Sequence, residues 1–303
     1  MKKVFIDGSA GTTGLRIYER LSSRKDIHLF TLPDETRKDI NARRDALNSA
    51  DIAFLCLPDD AARESVSLVS NPSTAIIDTS TAHRVNPEWA YGLPELSGQR
   101  DKIILSKRVA NPGCHATGFI VLVAPLIQAG IVGNNEPLTC FSITGYSGGG
   151  KKMIGQYEAD DRNELFDAPR QYGLAQKHKH LPEMTKVSGL KVSPVFCPIV
   201  APYYAGMEVT VSLYNKDIKA IAECYRNYYH DGVVHFSDDA DEGGFISAGK
   251  FAGRDDLEIS VYGNTERILL VSRFDNLGKG ASGAAIQNMN ILLGADETTG
   301  LNV

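Results

Sequence analysis

The order of apolar and polar segments divides the chain into two parts. Up to about residue 112, short apolar runs alternate with helix-like segments, and this alternation predicts a parallel sheet covered by helices on both faces. The predicted strands lie at 3–7, 27–32, 51–57, 75–78 and 102–105. The predicted helices lie at 14–22, 39–49 and 60–69, the first with Leu15, Tyr18 and Leu21 on one apolar stripe.

Beyond residue 112, strand-like segments dominate, and several alternate apolar and polar residues as 207–213 does. Such alternation is typical of an antiparallel sheet with one covered face. The predicted strands are 138–144, 191–200, 206–213, 233–236, 257–264 and 267–275, with a turn at Gly263-Asn264, and helices follow at 218–229 and 280–293. The prediction is an α/β protein: a Rossmann-type doubly wound domain over 1–112, and an α+β catalytic domain with a largely antiparallel sheet over 113–279. We expect the last segment, about 280–303, to pack back on the first domain.

Composition narrows the class of protein. The 303 residues are 43% hydrophobic and carry a net charge of −5 without a basic block, which argues against a nucleic-acid partner. Five widely spaced cysteines without a C-x-x-C pair indicate a reducing compartment rather than a disulfide framework or a structural zinc site. We find no signal peptide and no apolar run long enough for a bilayer, so we expect a soluble, cytoplasmic protein.

A glycine-rich turn follows the first predicted strand and opens the first helix, with the pattern G-x-x-G-x-x-G over 8–14. Glycines let a turn tighten and let the backbone approach a pyrophosphate, which then rests on helix N–H groups. A turn without a ligand is the alternative, but the strand-turn-helix context favours a dinucleotide site. The candidate cofactor contacts are Gly8, Ser9, Gly11, Thr12, Thr13 and Gly14.

The end of the second strand bears on the choice of dinucleotide. Asp34 there is suited to a free ribose, whereas Arg37 and Lys38 are suited to a 2′-phosphate. We predict NADP(H), with Arg37 as a contact. A solvated charged loop is the competing interpretation.

Cys114 follows a Pro-Gly turn and opens the apolar run 119–124, which predicts a buried helix. A thiol at a helix N-terminus lies beside unpaired N–H groups and the positive end of the dipole, and both favour the nucleophilic thiolate. Free cysteines are also common as inert packing residues. The sequence therefore presents Cys114 as either a nucleophile or a core residue.

The segment 177–183 places two histidines and a carboxylate close together. Lysines flank His178 and should lower its pKa, which suits a general acid or base. A charged surface loop and a metal pair of His178 with His180 are the alternatives, and no third ligand is near in sequence. We expect His28, His83, His115, His230 and His235 to be packing or surface residues.

Three other segments are suited to binding anions or a cofactor. Each also has a plain structural interpretation, as a strand-ending turn, a flexible loop or a strand–helix connection. Residues 78–84 follow a buried strand, 145–152 combine glycines with serine and lysines, and 276–283 are rich in small residues. They supply Arg84, Ser147, Gly148 and Lys151 as candidate substrate contacts, and Ser80, Asn276 and Gly280 as candidate cofactor contacts.

Together, the dinucleotide loop, Asn111-Pro112-Gly113-Cys114, the His178–Glu183 segment and the Gly-Lys-Gly-Ala-Ser-Gly helix start resemble the N-acetyl-γ-glutamyl-phosphate reductases. The resemblance runs from Gly8 to Asn290 and is nearest to the shorter branch of that family. The longer branch has Tyr-Pro where this chain has His115-Ala116, and its glycine loop also differs.

The resemblance implies reduction of an acyl phosphate to a semialdehyde with NADPH, in arginine biosynthesis. It implies Cys114 as nucleophile, His178 as acid/base, and His180 and Glu183 in the same site. It further implies a glyceraldehyde-phosphate-dehydrogenase-like fold and a homodimer or homotetramer built through the second domain. The expected partners are a small acyl phosphate and inorganic phosphate, with neither nucleic acid nor membrane.

Several alternatives stay open from the sequence. The chain is also compatible with a reductase of aspartyl phosphate or of a carrier-linked aminoadipyl phosphate. A non-catalytic, NADP-binding redox regulator would need only the dinucleotide loop and a reactive cysteine. A metal-dependent hydrolase would use His178 and His180.

Overall fold

A computed structural model of the protein describes residues 1–230 and 232–303. The described chain forms two compact units. The first contains Met1–Pro112 and Ala281–Leu301, and the second contains Gly113–Gly280 and Asn302–Val303. The first boundary falls directly after Pro112, where the apolar pattern of the sequence changes.

The first unit is built on a parallel sheet with the strand order β2-β1-β3-β4-β6-β5. Strands β3 and β4 are buried at every position because helices cover both faces of the sheet. The strands are β1 (Lys2–Asp7), β2 (Ile27–Phe30), β3 (Ile52–Leu55), β4 (Ala75–Asp78), β5 (Ala90–Tyr91) and β6 (Arg108–Ala110). The helices between them are α1 (Thr12–Leu21), α2 (Ile40–Ser49), α3 (Asp59–Leu68) and α4 (Gln99–Leu105).

Two local predictions for this unit are wrong. The run 102–105 lies in helix α4 rather than in a strand, with Ile103 buried while Ile104 and Leu105 are exposed. A run of three apolar residues cannot distinguish a strand from a helix by its period. In α1 the buried stripe is Gly14, Ile17 and Leu21, whereas Leu15 and Tyr18 point outward.

The second unit contains a mixed sheet with the order β11-β12-β13-β10-β7-β9-β8. Within the described residues, β11–β12 and β7–β9 are parallel pairs, and the remaining neighbours are antiparallel. The strands are β7 (Thr139–Gly145), β8 (Arg170–Gln171), β9 (Val195–Ala201), β10 (Met207–Tyr214), β11 (Val234–Phe236), β12 (Leu257–Gly263) and β13 (Arg267–Phe274). The helices are α5 (Cys114–Gln128), α6 (Gly150–Glu158), α7 (Leu181–Ser188) and α8 (Ile218–Tyr228).

Helix α5 is the centre of the second unit's core. Its residues from His115 to Leu126 are all buried, as the apolar run of the sequence predicts. The helix packs on β10 and β13, and α7 and α8 lie beside it. Gly118 permits the close approach to the sheet, because a Cβ there would collide with Val209 and Phe274. The first residue of this rigid helix is Cys114.

The last helix, α9 (Gly283–Leu293), belongs to the first unit. Ala285, Ile286 and Met289 join the same apolar cluster as Ile17 and Leu21 of α1. The chain therefore crosses from the first unit to the second after Pro112 and returns after Gly280. A π-helical turn at Gly278–Ser282 connects β13 to α9.

Candidate active site

Cys114 is the first residue of α5, and its side chain is half-buried. Gly113 before it has an extended backbone, and its carbonyl accepts the first helical hydrogen bond, 2.8 Å from the N–H of Thr117. The N–H groups from Cys114 to Ala116 therefore have no acceptor within the helix. These groups and the helix dipole favour a negative charge on the thiol or on a substrate oxygen bound beside it.

Gly280 lies directly against the cysteine. A Cβ at this position would stand 2.8 Å from Cys114 Cβ and 3.1 Å from the carbonyl oxygen of Asp275. The sequence suggested Gly280 as a cofactor contact. Within the second unit its lack of a side chain makes room for the thiol-bearing residue.

Glu183 connects helix α7 to the turn that carries the thiol. Its Oε2 accepts a hydrogen bond of 3.2 Å from the N–H of Gly113, and its Oε1 lies 3.9 Å from Nε2 of His180. The carboxyl group is buried in the first turn of α7, where the helix dipole favours a negative charge. Glu183 therefore places a carboxylate next to a histidine and one residue from Cys114.

His178 and His180 lie in the turn that precedes α7. The N–H of His180 donates to Nδ1 of His178 at 3.2 Å, so a neutral His178 carries its proton on Nε2. The two rings meet edge to face with centroids 4.7 Å apart. His178 also borders an open cavity of about 590 Å³ that Lys177, Thr185 and Lys186 help to line. Within the described residues we find no group of three potential metal ligands.

The structure adds His115, which the sequence analysis placed among packing or surface residues. The residue is buried, as that prediction allows, and its ring centroid lies 5.7 Å from that of His178 and 5.6 Å from that of His180. Burial, reinforced by the charges of His178 and Lys179, lowers the pKa of His115 to about 3. The position after Cys114 was the only sequence signal for this residue.

Tyr172 is a second residue that the sequence analysis missed. Its hydroxyl lies 2.8 Å from Nε2 of His115. Burial, together with the nearby Cys114, raises the pKa of Tyr172, so the hydroxyl keeps its proton. Tyr172 directly follows β8, a strand of two residues whose partner β9 lies more than twenty positions later in the chain. No local pattern could have placed it beside the cysteine.

Ser147 and Asn276 were predicted to contact different ligands, and the structure joins them to each other. Nδ2 of Asn276 donates to Ser147 Oγ at 3.0 Å, and its Oδ1 accepts from the N–H of Gly206 at 2.9 Å. Both side chains are buried. Gly148 and Lys151 are exposed nearby, in the turn before α6 and at its start. The loop is thus anchored by Asn276 and leaves Lys151 accessible to an anion.

In the first unit, the glycine-rich turn connects β1 to α1 as predicted. Gly8 has a φ of +89°, and a Cβ there would collide with the carbonyl of Cys56. Gly11 is the N-cap, so the N–H groups of Thr12, Thr13 and Gly14 are the first of the helix. This is the arrangement in which a pyrophosphate is held by helix N–H groups.

A cavity of about 220 Å³ adjoins this turn, with Gly8, Ser9, Arg37, Lys38 and Arg43 in its lining. Nε of Arg37 lies 2.8 Å from Oδ1 of Asp34, the residue that the sequence analysis considered for a free ribose. Both side chains are exposed. Arg43 is buried, and the sequence analysis did not single it out. Its Nε lies 3.2 Å from Asp7. The cavity therefore presents cationic side chains at the end of the second strand, where a 2′-phosphate would lie.

The segment after β4 is organised by Asp78. Its carboxylate accepts from Ser80 Oγ at 2.8 Å and lies 2.6 Å from Nδ1 of His83, whose ring stacks on Trp89. Arg84 donates to the carbonyls of Asn111 and Thr79, at 2.9 and 3.1 Å. The predicted ligands Ser80 and Arg84 therefore also hold this loop in shape.

Comparison with known proteins gives the family. Over 99% of both chains, this protein is 45% identical to N-acetyl-γ-glutamyl-phosphate reductase 2 of Nostoc sp.. It is 46% identical to N-acetyl-γ-glutamyl-phosphate reductase of Rhizobium meliloti, over 97% of this chain and 99% of that protein.

The chain belongs to the N-acetyl-γ-glutamyl-phosphate reductase family.

Two domain models place this reductase family member among the semialdehyde dehydrogenases. Residues 3–104 match the semialdehyde dehydrogenase NAD-binding domain, and residues 114–276 match the semialdehyde dehydrogenase dimerisation domain. Cys114 is the first residue of the second match. The matches follow the same division of the chain as the two compact units.

Solved structures give the fold. The chain superposes with a TM-score of 0.74 on aspartate semialdehyde dehydrogenase II from Vibrio cholerae, at 16% identity over 97% of this chain and 98% of that one. The TM-score with aspartate semialdehyde dehydrogenase with NADP from Candida albicans is 0.69, at 17% identity over 97% and 98%.

These comparisons confirm the predicted family, the fold class and the assignment to the NADP-dependent oxidoreductases. None of the helices in the described residues has the length and apolar character of a membrane span. The roles of individual site residues stay predictions.

Proposed function

We propose that this chain reduces N-acetyl-γ-glutamyl phosphate to N-acetylglutamate 5-semialdehyde, with release of inorganic phosphate, through a thioester on Cys114. The observation that carries the proposal is the position of Cys114 at the start of the buried helix α5. Glu183 holds the preceding residue there, and His115 and Tyr172 lie nearby. A thiol at the start of a buried helix, beside the first N–H groups of that helix, supports a nucleophile and an oxyanion site at this position.

The first half of the reaction is an acyl transfer. The Cys114 thiolate forms a C–S bond to the acyl carbon, and the bond from that carbon to the phosphate oxygen breaks. N–H groups at the start of α5 stabilise the negative oxygen of the tetrahedral intermediate. A proton from an imidazolium goes to the departing phosphate, and the acyl group stays on Cys114 as a thioester.

The second half is a reduction. When bound, NADPH would supply the hydride that converts the thioester into a thiohemiacetal. Collapse of the negative oxygen to a carbonyl breaks the C–S bond, releases the semialdehyde and regenerates the Cys114 thiolate. The glycine turn fits the dinucleotide, since the first N–H groups of α1 would hold its pyrophosphate, and Arg37 and Lys38 would hold its 2′-phosphate.

His178 is the proposed proton carrier. It borders the open cavity beside α7, and the hydrogen bond from His180 N–H to its Nδ1 makes Nε2 the nitrogen that would transfer the proton. A specific observation favours His180 as a second candidate. Its Nε2 lies 3.9 Å from Glu183, and a buried carboxylate stabilises an imidazolium. Replacing each histidine by asparagine distinguishes them, because only loss of the proton carrier should remove the corresponding limb of the kcat pH profile.

Cationic side chains would bind the anionic substrate. Lys151 is exposed at the start of α6, next to Gly148 and the anchored Ser147. With Arg84 and His180, these residues are the proposed contacts to the phosphate and carboxylate. The net charge of −5 makes such local cations necessary for the substrate to bind.

The deciding experiment is phosphate-dependent reduction of NADP by N-acetylglutamate semialdehyde, with wild type compared with Cys114→Ala. We expect the variant to lose turnover and to bind NADPH normally. Cys224→Ala is the matched control, since burial raises the pKa of this thiol, and it should keep wild-type turnover. Undiminished turnover in Cys114→Ala would rule out a thioester on Cys114.

The same assay separates the rival activities. Aspartate semialdehyde and aminoadipate semialdehyde, offered in competition, report which acyl phosphate the site accepts. A redox regulator would bind NADPH without turnover of any substrate, and a metal-dependent hydrolase would lose activity with a chelator and need no NADPH.

We also propose a homodimer formed through the face of the mixed sheet that is opposite to α5. Phe141, Val195 and Leu269 are about half exposed and lie on the face opposite to α5. The match of residues 114–276 to a dimerisation domain supports this interface. Light scattering of Phe141→Asp should show dissociation, while Leu165→Asp, an exposed control, should keep the wild-type mass. An unchanged mass for Phe141→Asp would contradict the interface, and a wild-type mass of four chains would indicate the tetramer.

A further inference from the structure

Two consecutive hydrogen bonds connect the core of the second unit with the surroundings of Cys114. Ser142 Oγ, on β7, lies 2.6 Å from Nδ1 of His115, and Nε2 of His115 lies 2.8 Å from the hydroxyl of Tyr172. Ser142 is fully buried and His115 nearly so. These hydrogen bonds are therefore shielded from water at the serine end, and Tyr172 at the other end lies near Cys114.

The direction of these hydrogen bonds follows from the serine. In the described part of the protein, His115 is the one group placed to accept the Ser142 proton. A buried hydroxyl without an acceptor costs about 1–3 kcal/mol, so Ser142 donates to Nδ1. The low pKa keeps His115 neutral, and its single ring proton is then on Nε2. Nε2–H donates to the oxygen of Tyr172.

The hydroxyl proton of Tyr172 is not used in the hydrogen bond with His115, because His115 is the donor in that bond. Its hydroxyl oxygen already accepts from the imidazole, so the O–H bond is directed elsewhere. Cys114 is close enough for its charge to raise the pKa of Tyr172. With Cys114 this near, the proton is placed to reach an oxygen bound on the cysteine.

We propose that Tyr172 donates a hydrogen bond to the oxygen of the tetrahedral intermediate on Cys114, and that His115 is the residue that positions this donor. This inference rests on the proposed function and deepens it. It adds a side-chain donor to the N–H groups at the start of α5. Because the carbonyl oxygen becomes fully negative only in the intermediate, such a donor accelerates the chemical step more than it tightens substrate binding.

Three variants test the proposal. Tyr172→Phe removes only the hydroxyl. His115→Asn places an amide near Nδ1, where it meets Ser142 but does not reach Tyr172, whereas His115→Gln places an amide N–H near Nε2 and can still donate to Tyr172. The readouts are kcat, KM, the rate of Cys114 alkylation by iodoacetamide across pH, and the thermal midpoint.

We expect Tyr172→Phe to lower kcat by about 100-fold with little change in KM, as is typical for loss of one oxyanion donor. The alkylation profile should match wild type, because the tyrosine acts on the intermediate and not on the thiolate. His115→Asn should approach the same kcat, and His115→Gln should restore it to within about tenfold of wild type. The double variant Tyr172→Phe/His115→Asn should be no slower than Tyr172→Phe, since both changes remove one interaction.

Wild-type kcat in Tyr172→Phe, or independent losses in the double variant, would overturn the inference and leave the proposed function intact. A loss of kcat that tracks a shifted alkylation profile would also overturn it, since the tyrosine would then act on the thiolate. Failure of the proposed function looks different: the wild-type protein itself would show no phosphate-dependent turnover, or Cys114→Ala would keep it.

Discussion

Glu183 Oε2 accepts a hydrogen bond of 3.2 Å from the main-chain N–H of Gly113, the residue immediately before Cys114. The two residues are seventy positions apart, and both are buried. One buried carboxylate thus fixes the turn that presents the thiol and stands 3.9 Å from His180. Removal of this hydrogen bond should lower both the stability of the fold and the catalytic rate.

Glu183→Ala should destabilise the second unit by about 1–3 kcal/mol, because it leaves the N–H of Gly113 buried without an acceptor. Glu183→Gln keeps an oxygen for that N–H and should cost less, while it still loses the charge beside His180. Chemical denaturation and kcat measure the two effects. Glu223→Ala, at an exposed position of α8, should change stability by less than about 0.5 kcal/mol. Equal stability of wild type and Glu183→Ala would refute the role of this hydrogen bond.

Gly280→Ala should lower kcat/KM by about 100-fold, because the new methyl group would stand 2.8 Å from Cys114 Cβ and displace the thiol. Gly155→Ala is the matched control, since a Cβ at that position in α6 meets nothing within 4 Å. Steady-state kinetics with the thermal midpoint of each variant distinguish a displaced thiol from global unfolding. A fully active Gly280→Ala enzyme would show that the thiol tolerates the shift.

His115 should make the second unit less stable in acid. Its pKa falls from about 6.5 in the unfolded chain to about 3 in the fold, so only the unfolded chain gains a proton between these values. The stability that His115 contributes is therefore complete above pH 6.5 and is lost as the pH falls toward 3, by up to about 1.4 kcal/mol per pH unit.

Native-state hydrogen exchange of α5 amides from pH 7 to pH 5 measures this effect. His115→Gln should show a flatter pH dependence than wild type, by close to one proton. His230→Gln, at an exposed position, should follow the wild-type curve. If His115→Gln and wild type have the same slope, the neutral state of this imidazole does not contribute to the stability of the fold.

Arg37→Ala and Lys38→Ala should each raise KM for NADPH by about tenfold or more and leave KM for NADH nearly unchanged, since a charge-assisted hydrogen bond contributes about 1.5–3 kcal/mol. Arg37 pairs with Asp34, and both follow the second strand. Arg63→Ala removes a comparable exposed ion pair on α3 and serves as control. Parallel increases for both cofactors would argue against a 2′-phosphate site here.

Much of the fold was predictable because its signals are local. The first glycine turn, each single strand or helix predicted before Pro112, and the apolar helix that begins at Cys114 lie within about fifteen consecutive residues. The run 102–105 was mistaken for a strand because three apolar residues have no period. Strands β5 and β8, each two residues long, exist only through their neighbours β6 and β9 and leave no pattern of their own.

By itself the sequence determined the family, the fold class, the glycine turn and the position of Cys114 at a helix start. Each of these follows from the spacing of residues that are close together in the chain. Tertiary structure alone decided that Glu183 caps the turn before the thiol, that Gly280 touches it, and that Tyr172 and His115 complete its surroundings. These contacts join segments tens to hundreds of residues apart, and only the packing of α5 and α7 with the mixed sheet brings them together.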